Sequence, residues 1–457
     1  MDLIATLRAM LGPAAVLTAP AQRARYARDG LGPWRGAALP PALPDAVVRP
    51  ASAAEVAAVL HLASTHGVPV VAVGGATGLM GGAMPVRGGL ALDLRRLNRL
   101  RAVSRIDLTA DAEAGLVLGR LARALRAEGL HLGHDPWTLP VATVGGAIAT
   151  NGIGYLGGKY GSAGDQVLGL EVALADGTVL RTRPAVRASA GYDLRRLFVG
   201  SEGTLGIITA ATLRVFPQPE RRVLRGWSFP EFAAGFAALL DLHALGLQPA
   251  LLDYGEEFGP EVPATCTLFL GWEGYREEVQ AALRRATRQI AARGGSPLPQ
   301  GEAGAFWRRR HVVAQRLRRR GQADWLPPRT AFDFVHVALP PSAVLDYRAR
   351  ALAALARHGV APRECGLWTH PGLFSVVLTA ERDTREQASA AVGAAVDELL
   401  RLAQDIGGAM EYCHGVGLRL AHLMVREHGA GLALMHRLKQ ALDPAGILNP
   451  GKLGLEG

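Results

Sequence analysis

At 457 residues, with 49% hydrophobic and 20% charged side chains, the chain is longer than one core usually serves, so two domains and room for a cofactor-sized cavity are expected. No apolar run reaches the roughly 18 residues that cross a bilayer, and Cys266, Cys365 and Cys413 are too few, and odd in number, for a disulfide framework, which points to a reducing, cytoplasmic setting. The net charge of +10 does not argue for a nucleic-acid partner: every basic residue except Lys159, Lys439 and Lys452 is arginine, and with the Ala, Gly and Leu excess this reads as coding bias.

Residues 1–42 read as N-terminal leader helices. Asp2 comes early and Arg8 interrupts the apolar stretch MDLIATLRAMLGPAAVLTA, unlike a signal peptide. In ASAAEVAAVLHLAST, Ser52 and Glu55 form a capping box, and Val56, Val59, Leu60 and Ala63 share one helical face. Short β-branched strands flank this helix, so a βαβ unit is expected. A second is read from the strand LALDLRRL and the amphipathic helix LVLGRLARALRAEGL, which stops at Gly129. Asp176 and Gly177 lie between two alternating runs and predict a hairpin.

The glycines of VVAVGGATGLMGG fall at 74, 75, 78, 81 and 82. Neither G-x-G-x-x-G nor a P-loop fits. The stretch still predicts a nest of unobstructed N–H groups able to meet a pyrophosphate, with the Thr77 hydroxyl as a further donor. Three more stretches, DPWTLPVATVGGAIATNGIG, KYGSAGDQ and GSEGTLGIIT, set glycines and small hydroxyl residues beside apolar strands. Together they predict one extended ligand held mainly by backbone.

Pro217-Gln218-Pro219 ends this first region, 43–217. From 218 to 410, helices such as FAAGFAALLDLHAL alternate with strands such as CTLFLGW, FVHVAL and LFSVVLTA, which suits an antiparallel sheet covered by helices. A basic run, Arg308 to Gly321, precedes Trp325 and Leu326 and reads as a solvated helix face or a peripheral contact with anionic lipid. Residues 411–457 open with EYCHGVG and contain a helix stopped by Asp443-Pro444.

In order, AVGGATGLMGGAMP, ATVGGAIATNGIG, GYDLRRLFVGSEGTLGIIT and LDPAGILNPGKL resemble the FAD-linked oxidases of vanillyl-alcohol oxidase and p-cresol methylhydroxylase type. The likeness lies in the branch of glycolate oxidase flavin subunits, D-lactate dehydrogenases and alkylglycerone-phosphate synthases. It implies an α+β fold: a PCMH-type FAD-binding domain of two subdomains at 43–217, a substrate or cap domain at 218–410, and a segment, 411–457, that returns to the flavin.

Carried over by position, the resemblance assigns Gly74, Gly75, Ala76, Thr77, Gly78, Leu79 and Met80 to the pyrophosphate loop. Pro136, Trp137, Thr138, Leu139, Thr143, Gly145 and Gly146, with Thr150, Asn151, Gly152 and Gly154, match segments along the flavin. Glu202, Gly203, Thr204, Gly206, Ile207 and Ile208 match the segment near adenine, ribose and isoalloxazine, and Asn449 and Lys452 the returning turn. Covalent attachment in such relatives uses a histidine in the loop or a later cysteine. Residues 74–82 hold neither and no cysteine precedes 266, so noncovalent FAD is expected.

For catalysis the resemblance implies Arg310, in WRRR, as the grip on a substrate carboxylate and His414 as general base, with Tyr412 beside it. The metal-binding motif of 2-hydroxy-acid dehydrogenases has decayed to WTHPGLFSVV, keeping His370 and Gly372, and Cys413 replaces a glutamate, so no metal is expected. Cys413 and His414, if on an extended strand, point to opposite faces, against a nucleophilic dyad. The expected activity is hydride transfer from a hydroxyl-bearing, anionic small substrate such as a 2-hydroxy acid to FAD, with oxygen, a quinone or an electron-transfer protein as acceptor, in a homodimer. An alkylglycerone-phosphate-synthase-like transferase and a non-catalytic flavin subunit stand as alternatives.

Overall fold

The computed structural model describes residues 2–30, 42–259, 266–312, 314 and 327–455. Most of the basic run, with Trp325 and Leu326, lies outside the described residues. The fold is α+β, built on three main sheets. In the first, the spatial order is Val16–Leu17, Ala46–Val48, Leu90–Asp93, Val70–Val73, the last three mutually parallel. Helix Ala53–Thr65 makes the crossover and buries Val56, Val59, Leu60 and Ala63. The Ser52 side chain accepts from the Glu55 N–H at 3.1 Å; the Glu55 carboxylate accepts from Ala51, at 2.7 Å, so the return bond closes one residue earlier than in the expected box.

The second βαβ unit does not form. After Leu90–Asp93 the chain leaves the first sheet and builds an antiparallel one, ordered Leu100–Ser104, Thr109–Glu113, Ile207–Arg214, Val167–Ala173, Val179–Arg181. The tight turn at 104–109, closed by Ser104 and Asp107, reverses the chain before a helix can cross. Helix Leu118–Ala127 therefore packs Leu118, Leu121 and Leu125 on the second sheet's core, and Gly129 follows it at φ +72°. The predicted hairpin is present, with Gly177 at φ +90° between antiparallel Val167–Ala173 and Val179–Arg181.

The third sheet has seven strands, each antiparallel to its neighbours: Ser296–Pro297, Arg221–Phe229, Cys266–Gly274, Leu251–Glu257, Ala361–Trp368, Leu373–Glu381, Thr330–Ala338. Strand alternation splits its residues. Leu252, Tyr254, Leu268, Val335, Val337, Val376 and Leu378 join one core with residues of helices Phe232–Ala244, Arg276–Ala292, Val344–Arg357 and Arg385–Asp405. Asp253, Gly255, Phe334, His336, Glu364, Gly366 and Ser375 stand on the other face. Among the described residues no helix is long and apolar enough to cross a membrane.

Helix Ala430–Leu442 brings the chain back to the first sheet, where Leu448 bridges to Val70. Lys439, 4% exposed, fastens this return: its ammonium donates to the carbonyls of Thr204 at 2.9 Å and Leu448 at 2.6 Å and pairs with Asp443. Removing one partner of a buried pair leaves the other charge uncompensated. Lys439→Met is expected to cost about 3 to 5 kcal/mol in urea unfolding, and adding Asp443→Leu should recover part of that loss.

Candidate active site

A cleft of about 1290 Å³, open at its mouth, lies between the first two sheets and the returning segment. Its walls are mostly backbone and small side chains. Of the residues expected at a cofactor, Gly74, Gly75, Ala76, Thr77, Gly78, Met80, Pro136, Trp137, Thr138, Thr143, Gly145, Gly146, Thr150, Gly152, Glu202, Gly203, Gly206, Ile207 and Ile208 line it. The loop after strand Val70–Val73 closes against the 141–143 segment: a Cβ on Gly75 would stand 2.5 Å from the Val141 carbonyl oxygen. Ala76 takes φ +47° and Gly203 φ +75°, left-handed conformations that are easiest for glycine.

Leu79, Leu139, Asn151, Gly154, Thr204, Asn449 and Lys452 are not part of the lining. Several are braces one layer back. The Asn449 side-chain amide donates to the carbonyls of Gly82 at 2.9 Å and Glu202 at 2.6 Å, the Lys452 ammonium donates to the Met84 carbonyl at 2.5 Å, and the Asn151 side chain accepts from Gly164 N–H at 3.0 Å. The folded chain adds wall residues that were not assigned to the cofactor from the sequence, among them Ala72, Leu94, Ala114, His134 and Cys413. His134 is fully buried, and burial pulls its pKa down to about 4, so it is neutral.

Residues 411–417 do not form a strand. The Glu411 carboxylate accepts three successive N–H groups, from Tyr412 at 3.0 Å, Cys413 at 2.6 Å and His414 at 2.9 Å, and winds the stretch into a turn. Cys413 and His414 therefore both line the cleft rather than pointing to opposite faces. Glu202 secures the far side of the turn, its carboxylate accepting from Val416 N–H at 2.6 Å and Gly417 N–H at 3.0 Å.

The His414 ring also meets the third sheet, 4.9 Å from Phe334 and 4.6 Å from His336 between centroids. His336, whose ring is 5.4 Å from that of Tyr412, was not singled out from the sequence; its position on FDFVHVALP, two residues past Phe334, was the available signal. Glu411 Oε1 is 3.7 Å from His414 Nδ1. Burial alone would lower the His414 pKa, but the Cys413 sulfur and the Glu411 carboxylate outweigh it and raise it to about 10.

Arg310 is held elsewhere. Its Nε donates to Asp135 Oδ2 at 2.8 Å, one terminal nitrogen donates to the Trp307 carbonyl at 2.7 Å, and its guanidinium lies 3.6 Å from the Trp307 ring centre. Asp135, 5% exposed, also bonds His311 Nε2 at 2.7 Å. Burial works against its ionisation, but His311 and Arg310 keep its carboxyl below the usual range. An internal carboxylate thus occupies the arginine expected to grip a substrate. His370 packs on His243, 4.8 Å between centroids, and accepts from Gly372 N–H. Among the described residues no group of three or more His, Cys, Asp or Glu is arranged to hold a metal ion.

Residues 44–183 match the family profile described as FAD binding domain, and residues 218–453, more than half the chain, match that of FAD linked oxidases, C-terminal domain. The chain belongs to the FAD-linked oxidase family. Its relatives in that family include the glycolate oxidase subunit GlcD of Bacillus subtilis, 31% identical over 90% of this chain and 89% of that one. Another is a D-2-hydroxyglutarate dehydrogenase of Xanthomonas citri pv. viticola, 31% identical over 95% and 93%. The solved p-cresol methylhydroxylase with substrate bound has the same fold, with a TM-score of 0.81 at 20% identity, covering 100% of this chain and 96% of that chain.

FAD is the cofactor of this family, and the cleft suits it: backbone donors line a channel that side chains would block. Gly75→Val is expected to yield folded protein without yellow colour, because the added side chain must displace either the 141–143 backbone or the loop. Full FAD occupancy in that variant, read from the absorbance ratio of flavin to protein, would refute the packing argument.

Proposed function

We propose that the chain oxidises a CH–OH group of a small hydroxyl-bearing substrate, such as a 2-hydroxy acid, with His414 as the general base. The observation that carries this reading is that His414 lines the cofactor cleft while its ring rests on Phe334 and His336 of the seven-stranded sheet. A substrate enclosed between sheet and cofactor would meet that imidazole. The relatives named for glycolate and D-2-hydroxyglutarate, both 2-hydroxy acids, favour the same class. In this reading residues 43–217 hold the cofactor, 218–410 cap the substrate, and 411–457 return the base to the flavin.

FAD would be held by main chain at 74–78, 143–146 and 202–207, and when bound it supplies the hydride acceptor. The protein's task is the hydroxyl proton. Glu411 lies 3.7 Å from Nδ1 of His414, so its charge favours a proton on Nδ1 and leaves Nε2 to take the one released by the substrate. The three N–H groups on Glu411 keep it in place. Three buried free cysteines support the cytoplasmic setting that belongs to this reading. Arg310, held by Asp135, is not assigned to substrate.

The pH dependence follows from the raised His414 pKa. The free base is the minor form at neutral pH, so the rate of flavin reduction by saturating substrate is expected to climb about tenfold per pH unit toward pH 10. His414→Ala should remove that slope and slow reduction roughly 100-fold, whereas Cys413→Ser should slow it far less and still bind FAD. A flat stopped-flow profile through neutrality would rule out His414 as the base. With no histidine or cysteine at 74–82, acid precipitation should leave the flavin colour in the supernatant; colour in the pellet would show a covalent link.

A further inference from the structure

The face of the seven-stranded sheet that carries Phe334 and His336 also carries the acids Asp253, Glu257 and Glu364. Asp253 lies opposite Trp368, Gly255 opposite Gly366, and Glu257 opposite Glu364, so all six share that face. The next strands extend the middle row: Gly366 faces Ser375, and Ser375 faces His336. Gly255 and Gly366 leave a hollow in the sheet. A Cβ there would stand 3.0 Å and 3.3 Å, respectively, from Glu364 Oε1, so the Glu364 carboxylate overlies the hollow.

Asp253 and Glu364, both half-buried, make no side-chain hydrogen bond or ion pair to another described residue. Two described cations of this region are committed elsewhere: Arg310 to Asp135, and Arg348 to Glu256 on the opposite face. Burial and Glu364 push the Asp253 carboxyl up to about 8, and burial and Glu257 push Glu364 up to about 7. A second group points the same way. The Tyr412 hydroxyl is buried without a hydrogen-bond partner, and the charges acting on it are those of Cys413, Glu411, Asp253 and Glu364. An aromatic wall closes the side, with the Trp368 ring edge-on to Tyr155 at 5.2 Å.

We propose that Asp253, Glu364 and the Tyr412 hydroxyl form a subsite for a protonated amine at the end of the substrate away from the reacting hydroxyl. Two neighbouring carboxylates with no counter-charge among the described residues repel each other, and a bound cation would compensate them; the neighbouring aromatic faces favour the same charge. Gly366 and His336 are two strand spacings apart, about 10 Å, which inward-reaching side chains reduce to roughly the span of four or five bonded carbons. This proposal rests on the reading of His414 as the base, which places the other end of the substrate.

The test uses the holoenzyme and a matched set of 2-hydroxy acids. The amine-bearing substrate 4-amino-2-hydroxybutanoate should show a KM at least about tenfold below that for uncharged 2-hydroxypentanoate. Asp253→Asn and Glu364→Gln should each raise the KM for the amine about tenfold while kcat changes little. Equal KM values, or a preference for 2,4-dihydroxybutanoate or for the dicarboxylate 2-hydroxypentanedioate, would overturn the proposal. A binding arm separates it from the oxidation reading: 4-aminobutanoate, which has no hydroxyl to lose, is titrated calorimetrically into wild type and both variants. Wild type should bind it about tenfold more tightly than pentanoate and the variants should not. If no hydroxy acid reduces the flavin but this difference holds, the oxidation reading fails and the amine subsite stands; no difference sinks the subsite.

Discussion

The carboxylate of Glu202 receives the N–H groups of Val416 and Gly417, and its own carbonyl receives the Asn449 side chain. Two separate stretches of the C-terminal segment are thereby tied to the wall of the cofactor cleft, and the His414 turn lies against that cleft because of it. Burial pushes the Glu202 carboxyl up to about 7, against the pull of those N–H groups and of Lys452. Its backbone sits at φ +51°, as Ala76 and Asn449 sit at +47° and +42°. Each such residue stores of order 1 to 3 kcal/mol of strain, tolerated where surrounding contacts over-determine the conformation. At Glu202 and Asn449 those contacts include the bond from the Asn449 amide to the Glu202 carbonyl.

Much of the cleft wall was legible in the sequence, because its requirement is local. A chain that must lie against a flat ligand needs glycine and small hydroxyl residues in runs, and three of the four runs read from the sequence line the cleft; the fourth, KYGSAGDQ at 159–166, does not. The helix at 53–65 and the tail helix were legible through periodicity and end signals. What escaped was set by partners distant in sequence. Leu94, Ala114 and His134 reach the cleft only through sheet packing. The second βαβ unit is absent because the turn at 105–108 reverses the chain into a second, antiparallel strand before the helix begins.

The substrate side was harder to read for the same reason. Arg310 carries its expected residue type, yet Asp135, 175 positions earlier, claims its guanidinium. The stretch 411–414 is turned rather than extended because Glu411 gathers three backbone donors, a pattern that no spacing rule announces. Asp253 and Glu364 become neighbours only because strands Leu251–Glu257 and Ala361–Trp368 pair, and no spacing rule links them. The two faces of that sheet also divide the work: one side is sealed by helices and carries stability, which leaves the other free to hold charges that a core could not accommodate.

The braces formed by Asn449 and Lys452 have a consequence for synthesis. On the ribosome, the glycine loop at 74–82 emerges first, the seven-stranded sheet follows, and the residues that fasten Gly82, Met84 and Glu202 come after both. A nascent chain can therefore assemble the two cofactor-side sheets while the cleft still lacks its clasp. The clasp that completes the cleft is thus the last part of it to be made.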